Sequence, residues 1–194
     1  MSHYFTFDGS LKPDERKISY NFAGRSYVFT TDSGVFSKEH IDPATEILLT
    51  NLPPLKGSLL DLGCGYGCIG IMLSGAYSLE LTQADINPRA LELTKRNCEE
   101  NGIVSHIVES DCFSNIEGSF DTITLNPPIH AGKAVTYRMF AEAREHLREG
   151  GRFYIVTLKK HGAESTFDFL SGIYKKCDII YKKKGYYLIA ASDK

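Results

Sequence analysis

The sequence predicts a doubly wound α/β fold: a mostly parallel sheet ending in an antiparallel C-terminal hairpin, preceded by a small N-terminal β-hairpin. Three observations carry that reading. From residue 58 onward, short apolar runs alternate with segments of helical spacing, the pattern of parallel strands joined by crossover helices. The last two apolar runs, Asp178–Tyr181 and Tyr186–Ala191, are separated only by a lysine turn, and two strands so joined must be antiparallel. Near the start, Ile18, Tyr20 and Phe22 alternate with polar residues, Ala23-Gly24-Arg25 supplies a turn, and Tyr27 and Phe29 resume the alternation.

The elements follow in order. Asp32-Ser33-Gly34 ends the hairpin. Asp42-Pro43 reads as an N-cap with proline at the first helical position, opening a helix that buries Ile47 and Leu48 and stops near Leu52-Pro53-Pro54. Leu59–Leu62 is a short buried strand, followed by the glycine loop Gly63–Gly67 and a helix from Ile69. A strand over Leu79–Ala84 ends at Asp85. Asn87-Pro88 caps a helix that runs to about Glu100 and closes at Asn101-Gly102. Val104–Val108 and Phe120–Leu125 are the next strands. A helix is expected over Ala134–Arg148, burying Tyr137, Phe140, Ala141 and Leu147 and ended by Gly150-Gly151. The strand Phe153–Leu158 follows, then a helix near Ser165–Tyr174.

Composition bounds the function classes. The 194 residues, 42% hydrophobic and 24% charged, amount to one domain with a full core. No apolar stretch reaches the ~18 residues of a membrane span, and Met1–Thr6 lacks the basic-then-apolar build of a secretory signal. Five cysteines (64, 68, 98, 112 and 177) are an odd number at scattered spacings, which predicts a reducing, cytoplasmic setting. Cys64 and Cys68 have no second pair at ligand spacing, so no metal site is expected. Net charge is −2, but unevenly spread: residues 1–132 carry 9 Lys/Arg against 17 Asp/Glu, and residues 133–194 carry 13 against 7. A basic C-terminal third is compatible with a nucleic-acid-facing end and equally with a solvated surface.

Two nucleotide readings compete at the glycine loop. Gly65-Tyr66-Gly67-Cys68-Ile69-Gly70 fits the G-x-G-x-x-G dinucleotide pattern, a weak signal alone. The alternative, Asp61-x-Gly63-x-Gly65-x-Gly67, places a carboxylate at the strand end. Such a charge repels an anionic pyrophosphate and attracts the ammonium and sulfonium of S-adenosylmethionine, by a few kcal/mol at moderate dielectric. Asp61 therefore tips the balance toward S-adenosylmethionine. Asp85, at the next strand end, suits the ribose hydroxyls of either cofactor. Asp111, in Ser110-Asp111-Cys112-Phe113, is placed to accept from an adenine amino group.

The fourth strand of the parallel sheet ends in Asn126-Pro127-Pro128-Ile129-His130-Ala131-Gly132-Lys133. The prolines stiffen the turn. The Pro127 carbonyl and the Asn126 side-chain carbonyl offer two convergent acceptors, which suit an exocyclic NH₂ group. Held there, a weakly nucleophilic aryl amine would have its lone pair aimed outward, and orientation is what its methylation needs.

The motif Asp61-Leu-Gly63-Cys-Gly65-Tyr-Gly67, Asp85 and the Asn126–Lys133 turn together resemble class I S-adenosylmethionine-dependent methyltransferases of the small-domain group. Within that group the likeness is to ribosomal RNA (16S-type) guanine-N2 methyltransferases, over about residues 18–191. The resemblance implies a seven-stranded Rossmann-like sheet, with residues 1–40 as a hairpin extension packed on a catalytic domain at 41–194. It implies S-adenosyl-L-methionine as cofactor and ribosomal RNA or a ribosomal subunit as substrate. Asp61, Gly63, Cys64 and Gly65 would hold the methionine part, Asp85 and Ile86 the ribose side, and Asp111 with Cys112 the adenine. Phe36 and Ser37, in the Thr31–Ser37 segment, would line the pocket, and Asn126 would border it. Asn126 and Pro127 would carry catalysis by holding the amine. Pro128 would shape the turn, and Ile129, where the group usually has an aromatic residue, would pack on the base. His130 and Lys133 would face RNA. The 16S enzyme has a second, degenerate domain and this chain has one copy, so RNA grip falls to Lys175-Lys176, Lys182–Lys184 or a second subunit, a homodimer. Adenine-N6 or protein glutamine amide methylation, an NAD(P) oxidoreductase and a silent RNA-binding module remain the alternatives.

Overall fold

The computed structural model describes residues 14–33, 35, 37–128 and 132–193. Two antiparallel strands, β1 (Arg16–Phe22) and β2 (Arg25–Thr31), form the N-terminal hairpin. Its two-residue turn, Ala23-Gly24, has both φ angles positive (49° and 78°), the geometry that matches strand twist in tight hairpins. Tyr27 and Phe29 are fully buried. The backbone of β2 is satisfied from outside the hairpin. Asn97 accepts from the Thr30 N–H (2.7 Å) and donates to its carbonyl (3.0 Å), and Asn101 does the same for Val28 (3.1 and 2.7 Å). Two asparagines one helical turn apart thus act as a substitute strand.

The main sheet comprises β3 (Ser58–Leu62), β4 (Glu80–Asp85), β5 (Ser105–Glu109), β6 (Phe120–Leu125), β7 (Leu147–Leu158), β8 (Lys176–Lys183) and β9 (Tyr186–Ser192). Its order is β5-β4-β3-β6-β7-β9-β8, parallel from β5 to β7 and antiparallel for the last two pairs. The helices are α1 (Pro43–Asn51), α2 (Cys68–Tyr77), α3 (Pro88–Asn101), α4 (Lys133–Glu145) and α5 (Ala163–Ile173). One core lies between the sheet and α1–α3 with the hairpin, and a second lies between the sheet and α4 and α5. The predicted fold class is the observed one.

Val104, expected to open a strand, is exposed and precedes β5, and the largest boundary difference is between α4 and β7. Helix α4 ends at Glu145, and Gly150-Gly151 lie within β7 rather than closing a helix. The register between β6 and β7 shifts between Phe120 and Thr122, and a Cβ on Gly151 would meet the Phe120 carbonyl oxygen at 2.8 Å. Gly151 lets two backbones approach at an irregularity, a role with no helix-independent sequence signature. Ala141, expected inside, is exposed; Met139, Phe140 and Ala143 form the buried stripe. A groove of about 830 Å³ lies at the amino ends of β3, β4 and β5, away from the site described next.

Candidate active site

The strand order reverses between β4 and β6, on either side of β3, and the carboxyl ends there frame a crevice. The loop after β3 enters it. Gly63, Gly65 and Gly67 all have positive φ (65°, 58° and 89°). They divide by function. A Cβ on Gly65 would meet nothing within 4 Å, and on Gly63 only Leu125 Cδ1 at 3.7 Å, so that face of the loop is open to a ligand. A Cβ on Gly67 would lie 3.0 Å from Gln83 Nε2, and on Gly70 2.8 Å from Gln83 Nε2 and 2.9 Å from Leu81 Cδ1. These two glycines seat α2 against β4. Gly70→Ala is expected to lower stability by about 1–3 kcal/mol through overpacking, and Gly65→Ala by only about 1 kcal/mol, for its left-handed backbone. Denaturant midpoints check this; equal losses would contradict the division.

Asp61 lies beneath the loop, not on its open face. It is 1% exposed, its Oδ2 accepting from the Gly70 N–H (2.9 Å) and from Gln83 Nε2 (3.5 Å), its Oδ1 from Thr124 Oγ1 (3.2 Å). Burial pushes its carboxyl up to about 7, against the pull of these donors, with the Asp85 charge adding to the rise. Gln83, fully buried, also donates to the Gly67 carbonyl at 3.0 Å. Cys64 is buried with its thiol 3.6 Å from Thr94 Oγ1, leaving only its backbone to a ligand.

Asp85 is half-buried at the end of β4. Its Oδ2 accepts from the Gly65 N–H and its Oδ1 from the Asn87 N–H, both at 2.9 Å, so it pins the glycine loop from the side. Burial raises its carboxyl, and those N–H donors partly offset the rise. Each oxygen keeps a second lone pair for a diol. Ile86, beside it, is 43% exposed, an apolar surface at the mouth of the crevice. Thr31 and Asp32 are brought to the same place, because buried Asp32 is ion-paired with Arg89 in the first turn of α3. Ser37 Oγ donates to the His40 carbonyl. Phe36 lies outside the described residues.

After β5, Asp111 is exposed and ion-paired with Arg138 of α4, whose guanidinium also donates to the buried Cys112 thiol (Nη2 at 2.9 Å). Phe113 points away from the crevice, stacked on His146 with ring centroids 4.6 Å apart.

The Asn126-Pro127-Pro128 turn leaves β6 beside β3. Asn126 Nδ2 donates to Asp42 Oδ2 (3.1 Å) and Thr45 Oγ1 (3.2 Å). Asp42 Oδ2 also caps α1, accepting from the Ala44 and Thr45 N–H groups. With its NH₂ so engaged, the amide orientation is fixed and Oδ1 faces the other way; among the described residues nothing donates to Oδ1 or to the Pro127 carbonyl. Pro127 and Pro128 are half-buried, and Lys133 is exposed at the start of α4. Ile129 and His130 lie outside the described residues. The sequence reading identified Asp42 only as a helix cap, and missed Thr45, Gln83, Thr124 and Arg138, residues far along the chain whose roles arise from tertiary proximity. Among the described residues there is no cluster of His, Cys, Asp and Glu that could hold a metal ion.

Comparison with known proteins places the chain in a family. An uncharacterized protein of Bacillus subtilis, YbxB, is 39% identical over 195 residues, 97% of each chain. The ribosomal RNA small subunit methyltransferase C of Pasteurella multocida is 43% identical over 129 residues, 63% of this chain and 39% of that one. The chain thus spans about two-fifths of that relative. Among solved structures, the T. thermophilus 16S rRNA N2 methyltransferase RsmC, in complex with AdoMet and guanosine, superposes with a TM-score of 0.81 at 27% identity, covering 93% of this chain and 51% of that one. Residues 26–190 match the methyltransferase small domain. By that match, with the fold in agreement, the chain belongs to the methyltransferase small domain family.

Proposed function

We propose that the chain is an S-adenosylmethionine-dependent RNA methyltransferase that modifies an exocyclic amine, guanine N2 of ribosomal RNA. The observation that carries this reading is the clamped Asn126 amide at the strand end beside β3: its NH₂ is held by Asp42 and Thr45, which leaves its carbonyl oxygen to act, with the Pro127 carbonyl, as an acceptor for the amine. The cofactor fits the residues present. The open loop face at Gly63 and Gly65 admits close backbone approach, Asp85 offers lone pairs to a diol, and exposed Ile86 offers an apolar surface to a ring.

S-adenosylmethionine, when bound, supplies an electrophilic methyl group. The chain's residues do the rest by binding and orientation. Asn126 Oδ1 and the Pro127 carbonyl accept the two N–H protons of the amine, which directs its lone pair out of that plane. The surplus proton passes to water, so no buried base is required. Asp61 acts from below the loop as a field that favours a cation above it, while its oxygens keep the loop in shape. The sequence likeness of the Asn126–Lys133 turn and the relatives named above support guanine over other amines.

Tritiated methyl transfer to small-subunit ribosomal RNA, followed by nucleoside mapping, tests the proposal. Labelled N2-methylguanosine is the expected product; labelled N6-methyladenosine, labelled protein, or no incorporation would overturn the assignment. The clamp has its own test. Thr45→Val removes one acceptor from Asn126 without changing side-chain shape, and Asp42→Ser keeps an N-cap but withdraws the other acceptor. Each is expected to lower kcat about tenfold with the cofactor KM unchanged. A fall in stability with normal kcat would mean that the clamp only braces the fold.

A further inference from the structure

The basic C-terminal third is not spread evenly over the sheet. Strand β7 runs parallel to β6, and β9 and β8 run alternately against and with it. The pairings Leu158↔Tyr186 and Lys183↔Tyr186 therefore bring the end of β7, the start of β9 and the end of β8 into one row, at the same end of the sheet as Asn126. Lys182, Lys183 and Lys184 stand at the β8–β9 tip, and Lys159 and Lys160 in the 3₁₀ turn that follows β7. The two segments are fastened together by the Lys159 N–H donating to the Gly185 carbonyl at 2.7 Å. All five lysines are exposed, as is Lys133 at the start of α4.

At the opposite end of the same strands, carboxylates are interleaved with the basic residues. Lys176 is paired with Asp178 at 3.7 Å, and Asp193 accepts from the Lys175 N–H and is paired with Arg144. At the tip, Glu164 is the acid paired with a lysine, Lys159 at 3.4 Å. Lys182 lies over the Tyr187 ring with its nitrogen 4.5 Å from the centroid, so its position is held by the ring rather than by a carboxylate.

We infer that the tip lysines Lys182–Lys184, with Lys159 and Lys160, form the track for the RNA strand that leads to Asn126, and that Lys175 and Lys176 do not take part. The inference rests on the proposed RNA substrate. Its geometry is that of a strand-sized path. From β6 to β8 is three interstrand steps of about 4.8 Å, or about 14 Å. That distance is the reach of a few nucleotides, comparable to the smaller single-strand sites of other folds. A base held at the Asn126 corner would thus carry its flanking phosphates across the ends of β7, β9 and β8. The acidic half of the sheet, on the β5 side, lies in the other direction.

The test compares three charge-reversal variants by filter binding of labelled small-subunit ribosomal RNA, from about 50 to about 200 mM salt: Lys183→Glu with Lys184→Glu, Lys160→Glu alone, and Lys175→Glu with Lys176→Glu. For the tip pair, the slope of log affinity against log salt is expected to flatten by about 1 to 2, each lost phosphate contact contributing about 0.7, with RNA KM raised about tenfold and cofactor affinity unchanged. Lys160→Glu should flatten it by about half as much. The Lys175/Lys176 pair should behave as wild type. RNA binding by wild type with no change in the tip variants, or an equal loss in the Lys175/Lys176 pair, would overturn the track alone. No RNA binding or methylation by wild type would overturn the substrate reading and the track with it.

Discussion

Asn126→Ala is expected to lower methyl-transfer turnover about a thousandfold, as removal of a preorganised polar contact to the reacting group does elsewhere, while the dissociation constant for S-adenosylmethionine stays within about twofold of wild type. The variant removes Oδ1, one of the two proposed acceptors for the amine, and leaves the Pro127 carbonyl in place. It also frees Asp42 Oδ2, which keeps the Ala44 and Thr45 N–H groups, and takes the Nδ2 donor from the buried Thr45 hydroxyl, so a stability loss of about 1–3 kcal/mol is expected beside the loss of turnover, and rates are compared on fully folded protein. Asn126→Asp is the sharper variant. It keeps the acceptor but brings a second carboxylate against Asp42 Oδ2, now 3.1 Å from the amide nitrogen, and should be nearly as impaired. Single-turnover rates with saturating cofactor, alongside calorimetric binding, separate the two steps. A variant that keeps turnover and loses cofactor affinity would move Asn126 from the amine to the cofactor.

Asp61→Asn is expected to weaken cofactor binding about 10- to 100-fold without unfolding the chain, a loss of the size expected for one buried charge acting at moderate dielectric. The replacement amide can still accept from the Gly70 N–H through Oδ1 and can donate to Thr124 Oγ1, so the loop keeps its shape while the charge goes. Asp61→Ala, by contrast, strips the acceptor from all three donors, the Gly70 N–H, Gln83 Nε2 and Thr124 Oγ1, and should cost about 2–5 kcal/mol. The pH dependence gives an independent reading. The folded-state value of about 7 lies above the ordinary 3.8, so the folded chain retains a proton that the unfolded chain has lost across that window. Stability of the free chain should therefore fall as pH rises from about 4 to about 7 and level off above. Cofactor affinity should move oppositely, rising with pH as Asp61 ionises beneath the cation. Asp61→Asn should flatten both profiles. If that variant binds cofactor as tightly as wild type, the carboxylate is a loop anchor whose charge the ligand does not feel.

The alternation of strands and helices was legible in the residues because the central strands β3 and β6 are rich in apolar residues and helix boundaries carry local signals: Asp42-Pro43, Asn87-Pro88 and Gly102 all sit at observed helix termini. The boundary between α4 and β7 was not legible. Gly150-Gly151 looks like helix punctuation, and only the approach of the Phe120 carbonyl to Gly151 explains why glycine stands there. At the site, the glycines, the two acids and the Asn-Pro-Pro turn could be found because each is a local pattern at a strand end. Their supports could not. Thr124 lies 63 residues from Asp61, and Asp42 lies 84 residues from Asn126. A helix cap that also clamps a distant amide leaves the same trace in the sequence as a helix cap alone. Sequence logic also placed Asp61 against the ligand, because a carboxylate at a strand end carries no mark of whether a loop will fold over it. Burial from both sheet neighbours and the Gly70 N–H put it underneath.

Methyl transfer as proposed requires the amine to lie between Asn126 and the glycine loop, and a crystal structure with S-adenosylmethionine and guanosine bound tests that most directly. The guanine 2-amino nitrogen should lie within hydrogen-bond distance of both Asn126 Oδ1 and the Pro127 carbonyl, with the transferable methyl facing it from above Gly63–Gly65. A guanine seated elsewhere, or a methyl directed away from that corner, would contradict it.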